Sequence, residues 1–272
     1  MSGAAPNDDF LSGTHGQVFG VRATTRALAA DAICVAADWA TLMGWRLRRA
    51  ARRGARRRVL ALAVEREDMP NLLSAARAEL RRSHHTVTFA STTTGGRGRF
   101  ENLNRLLAAH PPTAHDWVLV IDNDVALPRG FLDAFVFLSE RFGLRLAQPA
   151  HRHRSHAAFQ ITRRRPGRIA RQTAFVEIGP VTAFHHTVFD TLLPFPPLRA
   201  GWGLDGHWSA VAAEQGWPIG IIDATPIRHG LRLIASSYDR SDAIAEAREF
   251  LARRPYTPAR EAQRTIHAYS RW

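Results

Sequence analysis

Apolar residues along this chain fall into two patterns, short continuous runs and stretches spaced three and four apart. VLALAV at 59–64, the β-branched segment 86–90, WVLVI at 117–121 and the segments 174–178 and 219–223 have strand length and polar or turn-forming boundaries. Between them, 70–82, 102–109, 131–142 and 206–215 have helical spacing, and Pro70 suits a first turn. Strand and helix therefore alternate. The continuous apolar strands, WVLVI above all, are those of a sheet covered on both faces, so the expected fold class is α/β with a mainly parallel central sheet flanked by helices. Upstream, Leu28, Ala32, Val35, Ala36, Trp39, Leu42 and Met43 recur at helical spacing. Three segments follow from this reading: an amphipathic helix with a basic tail at 1–57, the α/β domain at 58–235, and a helical extension at 236–272.

Composition adds little until charge is considered. A length of 272 residues with 45% hydrophobic and 22% charged positions is ordinary for a globular protein. Against 24 acidic residues stand 37 basic ones, giving +13, and all 37 are arginine. Without lysine there is no P-loop, no protein-kinase strand lysine and no Schiff-base amine. The single Cys34 excludes an internal disulfide and any multi-cysteine metal site. Arg46, Arg48, Arg49, Arg52, Arg53, Arg56, Arg57 and Arg58 form one block, and 151–171 forms a second, with His151, His153 and His156 among its arginines. Both blocks could meet phosphates or an acidic acceptor, and the plainer expectation is a solvated surface.

Asp31 and Asp38 interrupt the apolar stretch 27–45, which argues against a membrane span. Such an amphipathic helix packs on its own domain, the commoner use, or lies on an anionic membrane. The first twenty residues lack a signal-peptide pattern, so the expected location is cytoplasmic, with peripheral contact at the inner membrane face as the helix's second use.

Three stretches carry candidate chemistry. WVLVIDND brings Asp122 and Asp124 to the end of a buried strand, where open α/β sheets bind ligands, and such carboxylates suit Mg²⁺ or Mn²⁺. Their plain alternative is to cap the following turn. GWGLDG at 201–206 matches G-x-G-x-x-G literally, but Pro194, Pro196 and Pro197 leave no strand before it, so a dinucleotide fingerprint is rejected. What remains is a Gly-rich loop with an aromatic face and Asp205 at a helix start, either a general base or an N-cap. Finally, GIIDATPIRH places His229 beyond a strand expected to end before Pro226, as a metal ligand or a structural histidine.

Taken in order, these pieces resemble the glycosyltransferases of the GT-A fold. WVLVIDNDV, LAQPA, FVEIGPV, GWGLD and GIIDATPIRH look more closely like a plant and bacterial glycosyltransferase-like family known mainly as a domain of unknown function. The likeness spans about 58–230. It implies Asp124 and His229 as metal ligands for Mn²⁺ or Mg²⁺, Asp122 as a metal or ribose and sugar contact, and Asp205 as the base of an inverting transfer. It also implies Asn123, Glu177, Gly201, Trp202 and Gly203 on the substrate side. Leu204 stands where many relatives carry a further acid. The implied partners are a nucleoside-diphosphate sugar donor and a glycan, lipid-linked or small-molecule acceptor, with no specific nucleic acid. A catalytically silent nucleotide-sugar-binding protein and a basic nucleic-acid-binding protein are the alternatives.

Overall fold

The apolar runs form the middle of one sheet. The computed structural model describes residues 8–12, 16–66, 68–231 and 239–272. Helices α1 (Gly20–Ala40) and α2 (Met43–Ala51) precede β1 (Arg58–Glu65), α3 (Leu73–Leu80), β2 (Thr86–Thr93), α4 (Arg99–Ala109), β3 (Trp117–Asp122) and the short β4 (Val125–Ala126). Then come α5 (Phe131–Arg141), β5 (Leu146–His151), β6 (Ala170–Thr173), β7 (Val181–His185), α6 (Phe189–Leu192) and α7 (Leu204–Glu214). The chain ends with β8 (Ile219–His229), α8 (Arg240–Leu251), α9 (Ala259–Ala262) and β9 (Thr265–Tyr269).

Among the described residues the strand order is β2-β1-β3-β7-β5-β8-β6-β9, with β4 paired to β8. β1 runs parallel to β2 and β3, with Leu60 opposite Val118 and Leu62 opposite Val120. β7 inserts antiparallel between β3 and β5, and β5 is again parallel to β8. Hence β1, β2, β3, β5, β8 and β9 point one way while β4, β6 and β7 oppose them. The expected α/β class is present, and the sheet is mixed.

Alternate residues of β1 and β3 feed two cores, as the period of two requires. Leu60, Leu62, Val118 and Val120 lie under Phe100, Leu103, Trp208 and Phe250. Val59, Ala61, Trp117, Leu119 and Ile121 face Leu47, Phe131, Phe135 and Leu138. Each fully buried leucine contributes about 2 kcal/mol.

Four expectations need correction. Residues 174–178 are not a strand: β6 ends at Thr173, and the chain bends through Glu177 to the cis Gly179–Pro180 bond before β7. β8 does not stop before Pro226 but continues to His229, beside an irregularity where β5 shifts register between Pro149 and His151. The last segment is not wholly helical, because Thr265–Tyr269 adds an edge strand to β6. The N-terminal helix does not bury its apolar stripe: within α1 only Ala27 and Cys34 are buried, while Leu28, Val35 and Trp39 are exposed.

Three of the seven arginines of the second basic block, Arg163, Arg164 and Arg171, are taken up inside the fold, while Arg152, Arg154, Arg165 and Arg168 are exposed. Arg171 is fully buried with Asp223, Nε to Oδ2 at 2.8 Å and Nη2 to Oδ1 at 3.0 Å, and it donates also to the Ile161 and Arg163 carbonyls. Arg164 pairs with Asp38 of α1, and Arg163 holds the His153 and Ser155 carbonyls.

Candidate functional site

The C-terminal ends of β1 and β3 open onto a cleft of about 430 Å³. Its walls come from the segment after β2, the 177–180 bend, the loop before α7, and the ends of β5 and β8. Asp122, Asn123, Asp124, Glu177, Trp202, Gly203, Asp205 and His229 all line it. Residues distant in the chain are thus brought together by the parallel strands, whose ends meet at one edge.

Gly201 does not join them. Its φ is +81°, and a Cβ there would lie 2.0 Å from the Phe100 ring, so this glycine serves the turn and its packing. Its N–H donates to Glu246 at 3.0 Å.

Asp124 and His229 meet at 3.1 Å, Oδ2 to Nε2. Burial acts to lower the His229 pKa, but the Asp124 hydrogen bond and the charges of Asp124, Asp122 and Glu177 together lift it above its ordinary value. Asp122 turns instead to Arg99, Oδ1 to Nη2 at 2.6 Å. Gly179 lies against this pair, and a Cβ at that position would sit 2.9 Å from Asp122 Oδ2.

Behind the metal-type pair runs a buried hydrogen-bond chain. Glu177 Oε2 meets His151 Nε2 at 3.1 Å, and His151 Nδ1 meets Ser155 Oγ at 3.3 Å. Ser155 Oγ accepts the His229 N–H at 2.8 Å and donates to the His229 carbonyl at 3.0 Å. The Glu177 carboxylate, the His151 ring and the Ser155 hydroxyl are thereby tied to the His229 backbone.

Asp205 is the second residue of α7, whose N-cap is Gly203, so the N-cap alternative fails. Its carboxyl accepts from the Gly206 N–H at 2.9 Å and also from the Ile178 N–H. Burial, with a smaller push from Glu177, raises its pKa to about 7.

The chain's charge blocks did not point to the arginines that line the cleft: Arg66, Arg97, Arg99, Arg199 and Arg240. Arg240 stacks over Trp202, 5.4 Å to the ring centroid. The only advance signal was the RGR that follows two glycines after β2.

A second group, His84, His85 and Asp133, has ligand atoms within 4.8 Å of one another and could hold a metal. It lies outside the cleft lining. His85 Nδ1 there accepts the Arg57 N–H at 3.1 Å, which fixes the proton of a neutral ring on Nε2, the nitrogen a metal would otherwise take.

No protein-family model matches this chain, and no curated protein matches it. Among solved structures it is similar to the crystal structure of GalNAc-T7 with UDP, GalNAc and Mn2+, at 9% identity and TM-score 0.47, over 71% of this chain and 47% of that one. It is also similar to A197 from STIV, at 9% identity and TM-score 0.42, over 64% of this chain and 86% of that one. The chain therefore spans about half the length of GalNAc-T7. Both TM-scores lie below 0.5, and the functional reading rests on the cleft itself.

Proposed function

We propose that this cleft transfers a sugar from a nucleoside diphosphate to an acceptor hydroxyl, in the manner of a metal-dependent GT-A glycosyltransferase. The carrying observation is that Asp205, a carboxyl with a pKa of about 7, shares the cleft with the Asp124–His229 pair and a set of arginines. A group titrating near neutrality is suited to take a proton at physiological pH.

The donor set fits a divalent cation. Two ligands bound to one ion at about 2.1 Å stand roughly 3 Å apart, the spacing of Asp124 and His229. The imidazole favours Mn²⁺ over Mg²⁺, which prefers oxygen alone. Such an ion supplies charge neutralisation for the departing diphosphate. Asp122, held by Arg99, is assigned to the ribose or sugar.

The chain's own residues account for the remaining chemistry. Asp205 takes the acceptor hydroxyl proton as that oxygen bonds to the anomeric carbon. The bond from this carbon to the phosphate oxygen breaks, its electron pair leaves with the nucleoside diphosphate, and a single displacement inverts the centre. Arg97, Arg199 and Arg240 take up phosphate charge. Trp202, pinned by Arg240, offers a face to the sugar, and Glu177, Asn123 and Gly203 complete the substrate side. Calorimetric titration with UDP, GDP, CDP and dTDP, each with Mn²⁺ and with EDTA, tests the donor site. Metal-dependent binding of one nucleotide, lost in Asp124→Ala, is the expected result, and no binding under any condition removes the reading.

A further inference from the structure

We propose that α1 and α2 form a docking surface that seats the protein on an anionic lipid bilayer. This inference does not depend on the reaction assigned to the cleft.

Helix α1 is oriented with its polar stripe inward. Ala27, Asp31, Cys34 and Asp38 follow one another at four, three and four residues and form the stripe that faces the protein. The Asp31 carboxylate accepts the His153 N–H at 2.8 Å and the Arg154 N–H at 3.0 Å, and Asp38 pairs with buried Arg164. The two acids that break the apolar run are therefore the attachment points of the helix.

A flank of α1 beside that stripe is apolar and open: Val21, Leu28, Val35 and Trp39 follow one another at seven, seven and four residues and are exposed, and Trp45 of α2 is exposed beyond the bend. Trp39 is 74% accessible and Trp45 56%. A contiguous apolar face of this kind marks an interaction site. No single described helix is long and apolar enough to cross a membrane, and α1 meets α2 at a 65° bend. The two reach the length and composition of a span only together, and with α1 fixed to the domain through Asp31 and Asp38, lying in the interface is the geometry this proposal assigns to them.

Charge selects the occupant. Arg22, Arg26, Arg46 and Arg49 are exposed on the same two helices and Arg52 and Arg53 directly after them, while Asp31 and Asp38, the only acids in either helix, are turned inward. Tryptophans beside arginines match the headgroup region of an anionic bilayer. A second copy of the chain would set these arginines against each other.

The test uses the full chain, sedimented with vesicles of phosphatidylcholine alone and of phosphatidylcholine mixed with phosphatidylglycerol. Co-sedimentation with the mixed vesicles alone is expected. In Trp39→Ala with Trp45→Ala it should fall by about tenfold or more, with unchanged circular dichroism because both side chains are exposed. Arg49→Gln, Arg52→Gln and Arg53→Gln together should weaken it as well. Sedimentation unaffected by the tryptophan pair would overturn the proposal, as would equal binding to neutral vesicles. A dimer by light scattering that the tryptophan pair dissolves, without vesicle binding, would assign the face to a second copy and equally overturn it.

Discussion

Burial in the cleft wall lets the Asp205 carboxyl hold its proton up to about pH 7, against an ordinary carboxylate value of 3.8. The sign of its effect on stability follows. The folded state binds this proton more tightly than the unfolded one, so the contribution is complete below about pH 4 and lost as pH climbs to about 7. That gap corresponds to about 4 kcal/mol. Asp205→Asn keeps an acceptor for the Gly206 N–H and cannot ionise, so its thermal midpoint should exceed that of the parent at pH 8 and approach it at pH 4. The same substitution should lower transfer about 10²–10⁴-fold, and the parent rate should rise through pH 7 to a plateau. A pH-independent difference in midpoint between the two proteins would contradict the burial argument. At the neighbouring pair, His229 must lose the proton it shares with Asp124 before a metal can take its Nε2, so Mn²⁺ affinity should increase with pH, as titration calorimetry at several pH values would register.

Elements owe their placement to contacts that lie far apart in the chain. The Arg171–Asp223 pair joins β6 to β8 with both side chains fully buried and every bond directional. Arg171→Leu would leave Asp223 charged and unpartnered, and a loss of about 3–5 kcal/mol is expected by urea denaturation. The loop before α7 depends likewise on Gly201, where an alanine would meet both a φ of +81° and the Phe100 ring. About 3 kcal/mol is the expected cost of Gly201→Ala, read from the same denaturation curves. Much of this scale was legible beforehand. The β1 and β3 runs are continuous because both faces of those strands are covered, and Asp122 and Asp124 stand where such a strand must end. β5 and β7 were not legible, since LAQPAH carries Gln148 and Pro149 and VTAFH is short, and both owe their pairing to neighbours supplied by the tertiary fold. Periodicity showed the apolar stripe of α1, but spacing alone does not state whether it faces the protein. The cleft arginines were hidden for a related reason. In an arginine-only chain, clustering along the sequence drew attention to 46–58, whereas Arg66, Arg199 and Arg240 join the Arg97–Arg99 pair only in space.

Across the whole molecule the +13 charge is put to three uses. Part is spent on structure, as in Arg57 with Glu140 at 2.7 Å and Arg171 with Asp223. Part faces the cleft, and part flanks the open apolar surface of α1 and α2. The last two regions adjoin: the Phe19 ring, just ahead of α1, lies 6.1 Å from the ring of His156, and His156 lines the cleft. The Gly16 carbonyl in turn accepts the N–H of Ala157, a residue of the same wall, at 3.0 Å. On the docking proposal, a bilayer bound along α1 therefore has the cleft wall at His156 and Ala157 beside the N-terminal end of that helix. On the proposed reaction, this arrangement favours an acceptor carried by a lipid, because docking confines enzyme and acceptor to one surface and raises their effective concentration. Transfer to a lipid-linked hydroxyl acceptor in mixed phosphatidylcholine and phosphatidylglycerol vesicles should then fall about tenfold in Trp39→Ala with Trp45→Ala. Transfer to the same headgroup in water-soluble form should be unchanged. Equal loss on both acceptors would place the two tryptophans in the folding of the site rather than in docking, and equal retention on both would separate the apolar face from the reaction altogether.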